Sequence, residues 1–143
     1  STASFLPLLG PAVPHRFQAD ANGATWEGSF ERLDYRCTLR LHPTAATWFW
    51  ILDLVNRTGR PVSVDAVLAQ DLGLAREDVV RTSEAYVSQY LDHTVLQATG
   101  FGALLCSRQN MPQDGAVPWI MHGCLDGAAG YLTDGTQLYG LDY

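Results

Sequence analysis

Charge is scarce in this chain. Asp, Glu, Lys and Arg make up 17% of its 143 residues, where about a quarter is usual. A surface so short of charge leaves room for apolar area that sits against a partner. Basic residues are the scarcer sign, nine against fifteen acidic, for a net charge of −6. Affinity for nucleic acid rests mainly on cations that neutralise phosphates, so no DNA or RNA surface is expected. Cysteine is sparse as well. Cys37, Cys106 and Cys124 are an odd set without motif spacing, which excludes a disulfide framework and favours a reducing, cytoplasmic setting. No apolar run is long enough to span a bilayer. The start, Ser-Thr-Ala-Ser-Phe-Leu-Pro-Leu-Leu, has no basic region before its apolar residues and is not read as a secretory signal.

What is present begins with Pro7, Pro11 and Pro14, which make residues 1–14 an extended, irregular segment. A three-stranded meander follows. Asn22-Gly23 is its best two-residue turn signal, and Leu33-Asp34 is the candidate for its second turn. The clearest alternation lies in residues 35–42: Tyr35, Cys37, Leu39 and Leu41 on one face, Arg36, Thr38, Arg40 and His42 on the other. Pro43 ends that strand, and Thr44 is an N-cap candidate for a helix reaching about Asn56. Trp48, Phe49, Trp50, Ile51, Leu52, Leu54 and Val55 leave that helix almost no polar side, so it is expected to be buried on several faces. Ser63 would cap a short second helix through Asp71, stopped by Gly73. The three- and four-residue spacing of Val79, Val80, Tyr86, Val87, Tyr90 and Leu91 predicts a third helix over 76–92. Beyond Thr99 the chain turns glycine-rich, with short strands expected at 103–107, 117–121, 129–133 and 137–141 between Asp-Gly turns. The expected fold is therefore α+β and winged-helix-like: a three-stranded antiparallel sheet followed by three helices, plus a short-stranded C-terminal extension. Its parts are residues 1–14, 15–99 and 100–143.

Reactive groups are thin on the ground. His122 and Cys124 are the only close His–Cys pair, short of the three or four ligands zinc takes, and no metal or other cofactor is expected. No phosphate-cradling glycine loop occurs, and no acids pair in an apolar setting that would raise a pKa. No catalytic residue is assigned, and the chain is not expected to be an enzyme in its own right. The aromatics carry more information. Trp50, Trp119 and Tyr131 are candidate anchors for a partner, since Trp and Tyr are common at protein interfaces.

Leu41, Ala45, Leu52, Val64, Leu68, Gly73, Val79, Val87, Tyr90 and Leu96, within residues 38–97, resemble the core positions of the PqqD-like family, the RiPP recognition elements. The resemblance implies a domain that binds the leader segment of a ribosomally made precursor peptide. It would deliver that peptide to a radical-SAM, YcaO or multinuclear non-haem iron enzyme. The leader would add as a strand to an open sheet edge and pack against the third helix. On that reading Arg36, Thr38, Arg40, Val80, Glu84 and Val87 contact the peptide, and residues 100–143 dock the enzyme. Two alternatives stand beside it: a winged-helix DNA-binding regulator, which the acidity opposes, and a structural or assembly scaffold that uses the apolar first helix and the aromatic tail to oligomerise.

Overall fold

The computed structural model describes residues 5–10, 13 and 15–139. It divides the chain into two units, Ser1–Val67 and Leu68–Tyr143. The division falls inside the segment expected to be one winged-helix domain.

The first unit is an antiparallel meander of four strands: β1 (Arg16–Asp20), β2 (Gly23–Phe30), β3 (Leu33–Leu41) and β4 (Trp48–Asn56), in the order β1-β2-β3-β4. The first hairpin pairs Asp20 with Gly23, so its turn is Ala21-Asn22, one residue before the Asn-Gly step. Asn22 N–H donates to the Asp20 carboxylate at 2.7 Å and closes the turn. The second hairpin turns at Glu31-Arg32, both with positive φ (46° and 66°), between the paired Phe30 and Leu33. That backbone suits the twist of a two-residue hairpin, even though neither residue is the Gly or Asn usually found there.

The strand β4 overturns the expected first helix. A run such as Trp-Phe-Trp-Ile-Leu is apolar all round, and periodicity alone does not tell a buried helix from a strand apolar on both faces. Its aromatic and branched residues favour the strand. Pairing with β3 from Leu41↔Trp48 to Leu33↔Asn56 satisfies the backbone of its inner edge. Thr44 caps nothing: the amides of Thr44 and Ala45 donate to His42 Nδ1 at 3.2 and 3.0 Å, within the connection between the two strands. The expected second helix is absent too, since residues 61–74 have no regular structure.

In the second unit the expected long helix is two short ones, α1 (Glu77–Thr82) and α2 (Glu84–Ser88). Ser83 is extended (φ −163°, ψ 93°), and its hydroxyl accepts from Tyr86 N–H. A serine that caps a new helix competes with continuing the old one, which is why the apolar period does not yield a single rod. The chain then forms β5 (Leu91–Ala98), β6 (Gly102–Gln109) and β7 (Trp119–His122), an antiparallel sheet in the order β5-β6-β7. The expected strands at 103–107 and 117–121 fall on β6 and β7. That at 129–133 has no counterpart. Residues 136–139 form a helical turn, α3 (Thr136–Tyr139), and the last two residues of the strand expected at 137–141 lie outside the described ones. The molecule is thus mostly β, two antiparallel sheets with short helices, and not a sheet followed by three helices. No helix among the described residues is long and apolar enough to cross a membrane.

Candidate functional site

Register decides which side chains of the first sheet share a face. Along β3, Tyr35, Cys37 and Leu39 stand opposite Gly28, Trp26 and Ala24 of β2 and opposite Leu54, Leu52 and Trp50 of β4. This is the apolar face. Trp26 stacks between Phe17 and Trp50, with ring centroids 5.2 and 5.7 Å apart. Tyr35 and Cys37 are buried. Burial pushes the Tyr35 phenol and the Cys37 thiol above their ordinary pKa values, so Cys37 is a small hydrophobe and not a nucleophile. The Tyr35 ring lies over Gly28, where a Cβ would come within 2.5 Å of its hydroxyl, so β2 needs a glycine at that point.

The opposite face is polar. Arg36, Thr38 and Arg40 of β3 stand beside Glu27 and Thr25 of β2. Gln18 completes the row from β1, and Asp53 and Ile51 from β4. Together these side chains line a solvent-open concavity of about 350 Å³. Its arginines are partnered: Arg36 meets Glu27 at 2.6 Å, and Arg40 reaches Asp20 at 3.5 Å. The hydroxyls of Thr25 and Thr38 lie 3.5 Å apart, with Thr38 buried. The sequence singles out Arg36, Thr38 and Arg40, and the sheet brings all three together. It misses Thr25, Glu27 and Asp53. Asp53, the one charged residue within the apolar run of β4, was the signal that this run has a polar side.

The other expected peptide contacts lie in the second unit. Val87 is completely buried and Val80 packs at Gly73, so both belong to that unit's interior, while Glu84 is exposed on α2. Strand addition beside 35–42 has no slot, because β3 is central and both its edges are taken by β2 and β4. Of the expected partner anchors, Trp50 belongs to the aromatic stack of the first sheet. Trp119 is 61% exposed with the Arg108 guanidinium 5.4 Å from its ring, and Tyr131 is exposed in an irregular segment.

The second sheet holds its interior with polar contacts. Gln109, fully buried, donates from Nε2 to the carbonyls of Gly73 and Val87 at 3.0 and 3.1 Å, and its Oε1 accepts from Met111 N–H at 3.0 Å. Buried Ser107 pairs with His93 Nδ1 at 2.9 Å. Burial pushes the His122 pKa below 6.5, with Nε2 3.3 Å from Gln70 Oε1. The carboxylates with shifted pKa values, Asp34, Asp78 and Asp92, are all held below the usual range. The leading causes are hydrogen bonds from Arg57, Arg76 and Asn110 respectively. No group of three or more His, Cys, Asp or Glu side chains able to hold a metal ion occurs among the described residues.

Comparison with known proteins decides the family. The SOGP N-terminal domain family matches residues 1–143. This chain belongs to that family. A 1,2-beta-oligoglucan phosphorylase of Listeria innocua is 39% identical over 138 residues, 96% of this chain. The chain spans only 12% of that relative's length. As a member of the SOGP N-terminal domain family, the chain is thus related to one part of an enzyme many times its size.

Proposed function

We propose that this chain is the non-catalytic N-terminal domain of a phosphorylase acting on β-linked oligoglucans, and that it packs against and supports the part that does the chemistry. The observation that carries this reading is the match over nearly the whole chain to a small part of an oligoglucan phosphorylase. The chemistry of the described residues supports it. Cleaving a glycosidic bond needs a carboxylic acid held protonated to donate to the leaving oxygen. The shifts here run the other way, keeping Asp34, Asp78 and Asp92 ionised.

The strand β4 supports the packing role. The apolar face of a sheet is normally covered. Here Trp48 and Leu54, on the apolar face of the first sheet, are 37% and 42% exposed. Among the described residues β4 is also a sheet edge. A long, flat, apolar edge is an aggregation hazard when left open, so the structure fits a domain whose β4 meets more protein. The leader-peptide reading has lost its slot at 35–42, and no other observation favours it.

The test uses two polypeptides, this chain alone and the same chain joined to the catalytic region that follows it. Given a β-1,2-linked oligoglucan and inorganic phosphate, the long polypeptide should release sugar 1-phosphate and the short one none. Release by the short chain, or none by an intact long one, would overturn the reading.

A further inference from the structure

The first sheet carries a charged concavity that the reading above does not use. We propose that it binds a neutral oligosaccharide, a segment of the glucan chain, at a site separate from the reaction centre; the inference rests on the reading above for the choice of sugar.

Three features of the concavity select its ligand. The first is size. About 350 Å³ lies at the lower end of the range for small-molecule sites, about 300–1,000 Å³. The second is charge. Arg36 and Arg40 would suit an anion if free, but Glu27 and Asp20 hold them at 2.6 and 3.5 Å, and Asp53 stands opposite Arg36 in the register. Phosphate or a carboxylate gains no net positive field there. A neutral ligand avoids the cost of facing the acids, and a polyol can use both signs at once. Each hydroxyl donates one hydrogen bond and accepts two. The arginine N–H groups, the carboxylates, the Gln18 amide and the threonine hydroxyls offer both kinds of partner. The third feature is the β4 side. Asp53, Ile51 and Phe49 follow one another along the same face, opposite Arg36, Thr38 and Arg40. Ile51 and Phe49 are 46% and 42% exposed. They give the C–H side of a sugar ring an apolar surface next to polar groups for its hydroxyls.

The experiment is calorimetric titration of this 143-residue chain with a β-1,2-linked gluco-oligosaccharide, and separately with inorganic phosphate. The wild-type chain should bind the oligosaccharide, and excess phosphate should not compete. Arg40→Ala and Asp53→Asn should each weaken binding roughly tenfold, the loss of a hydrogen bond to a charged group. Arg81→Ala, on the exposed surface of α1 in the other unit, should leave it unchanged. Thermal unfolding midpoints matching wild type show that the variants are folded, and Asp53→Asn keeps shape while removing only charge. No oligosaccharide binding by wild type, equal binding by both concavity variants, or displacement by phosphate would overturn the proposal. No oligosaccharide binding by the wild-type 143-residue chain, with sugar 1-phosphate release intact in the long polypeptide, would sink this inference alone.

Discussion

The two sheets of this chain are both antiparallel meanders, yet they are held by opposite means. The four-stranded sheet buries Tyr35 and Cys37 beneath an aromatic row and keeps Arg36 and Arg40 on the far face, in exposed ion pairs with Glu27 and Asp20. The three-stranded sheet buries Ser107 and Gln109 and gives both polar partners. An apolar interior tolerates exchange of one hydrophobe for another of similar volume. A satisfied polar interior does not, because removing one member strands the rest. The comparison teaches where each unit is fragile: the first at positions of shape, the second at positions of hydrogen bonding.

The largest effect should come from breaking the polar interior. Gln109→Ala removes two donors and one acceptor at once, leaving the Gly73 and Val87 carbonyls and the Met111 amide without that partner. The expected loss is about 2–4 kcal/mol, read as faster amide exchange in β5 and β6 with β2 and β3 unchanged. Equal loosening of both sheets would show that the two units do not unfold independently. The mirror experiment is Gly28→Ala. The new methyl meets the Tyr35 ring and forces it off β2, at a cost of about 1–3 kcal/mol. Here β2 and β3 should loosen while β6 keeps its protection. Exchanging Tyr35 for Phe in the same background should relieve the clash little, since the ring carbons Cζ and Cε1 also lie 2.6 and 2.7 Å from the added carbon.

The same contrast explains what was legible in the sequence. The period of two in β3 was plain, and the structure keeps both its faces as read, apolar on one side, Arg36, Thr38 and Arg40 on the other. Turn chemistry placed the hairpin at Asn22 to within one residue. What failed was the run 48–55, because a segment apolar on every side carries no period and only its neighbour decides. Once that run was taken for a helix, β3 became an edge, and the resemblance to the PqqD-like family then placed the peptide slot beside it. The polar site was half legible: its β3 row was seen, while its β2 and β4 rows depend on pairings that no local pattern prints. The interior of the second unit was the least legible. Gln109 looks like any polar residue at the end of a strand, and nothing near it in sequence announces that Gly73 and Val87, 36 and 22 residues away, will accept its protons.

The smallest expected effect, and the sharpest separation of the two units, is in pH. Burial holds the His122 pKa below 6.5, the value expected when unfolded. The unfolded chain therefore binds more protons than the folded one between the depressed value and 6.5, and stability rises with pH across that window. The contribution of the neutral ring is fully present above pH 6.5 and is lost as pH falls through the folded value. The three-stranded sheet should accordingly loosen on mild acidification, read as rising amide exchange in β6 and β7 after correction for the intrinsic rate. His122→Gln keeps a polar group near Gln70 but does not titrate, so it should flatten the profile. Asp34, the carboxylate of the four-stranded sheet with a resolved shift, is held below its ordinary value by Arg57 and adds nothing to a response in that window. A pH response shared equally by both sheets, or one that survives His122→Gln, would move the cause away from this ring.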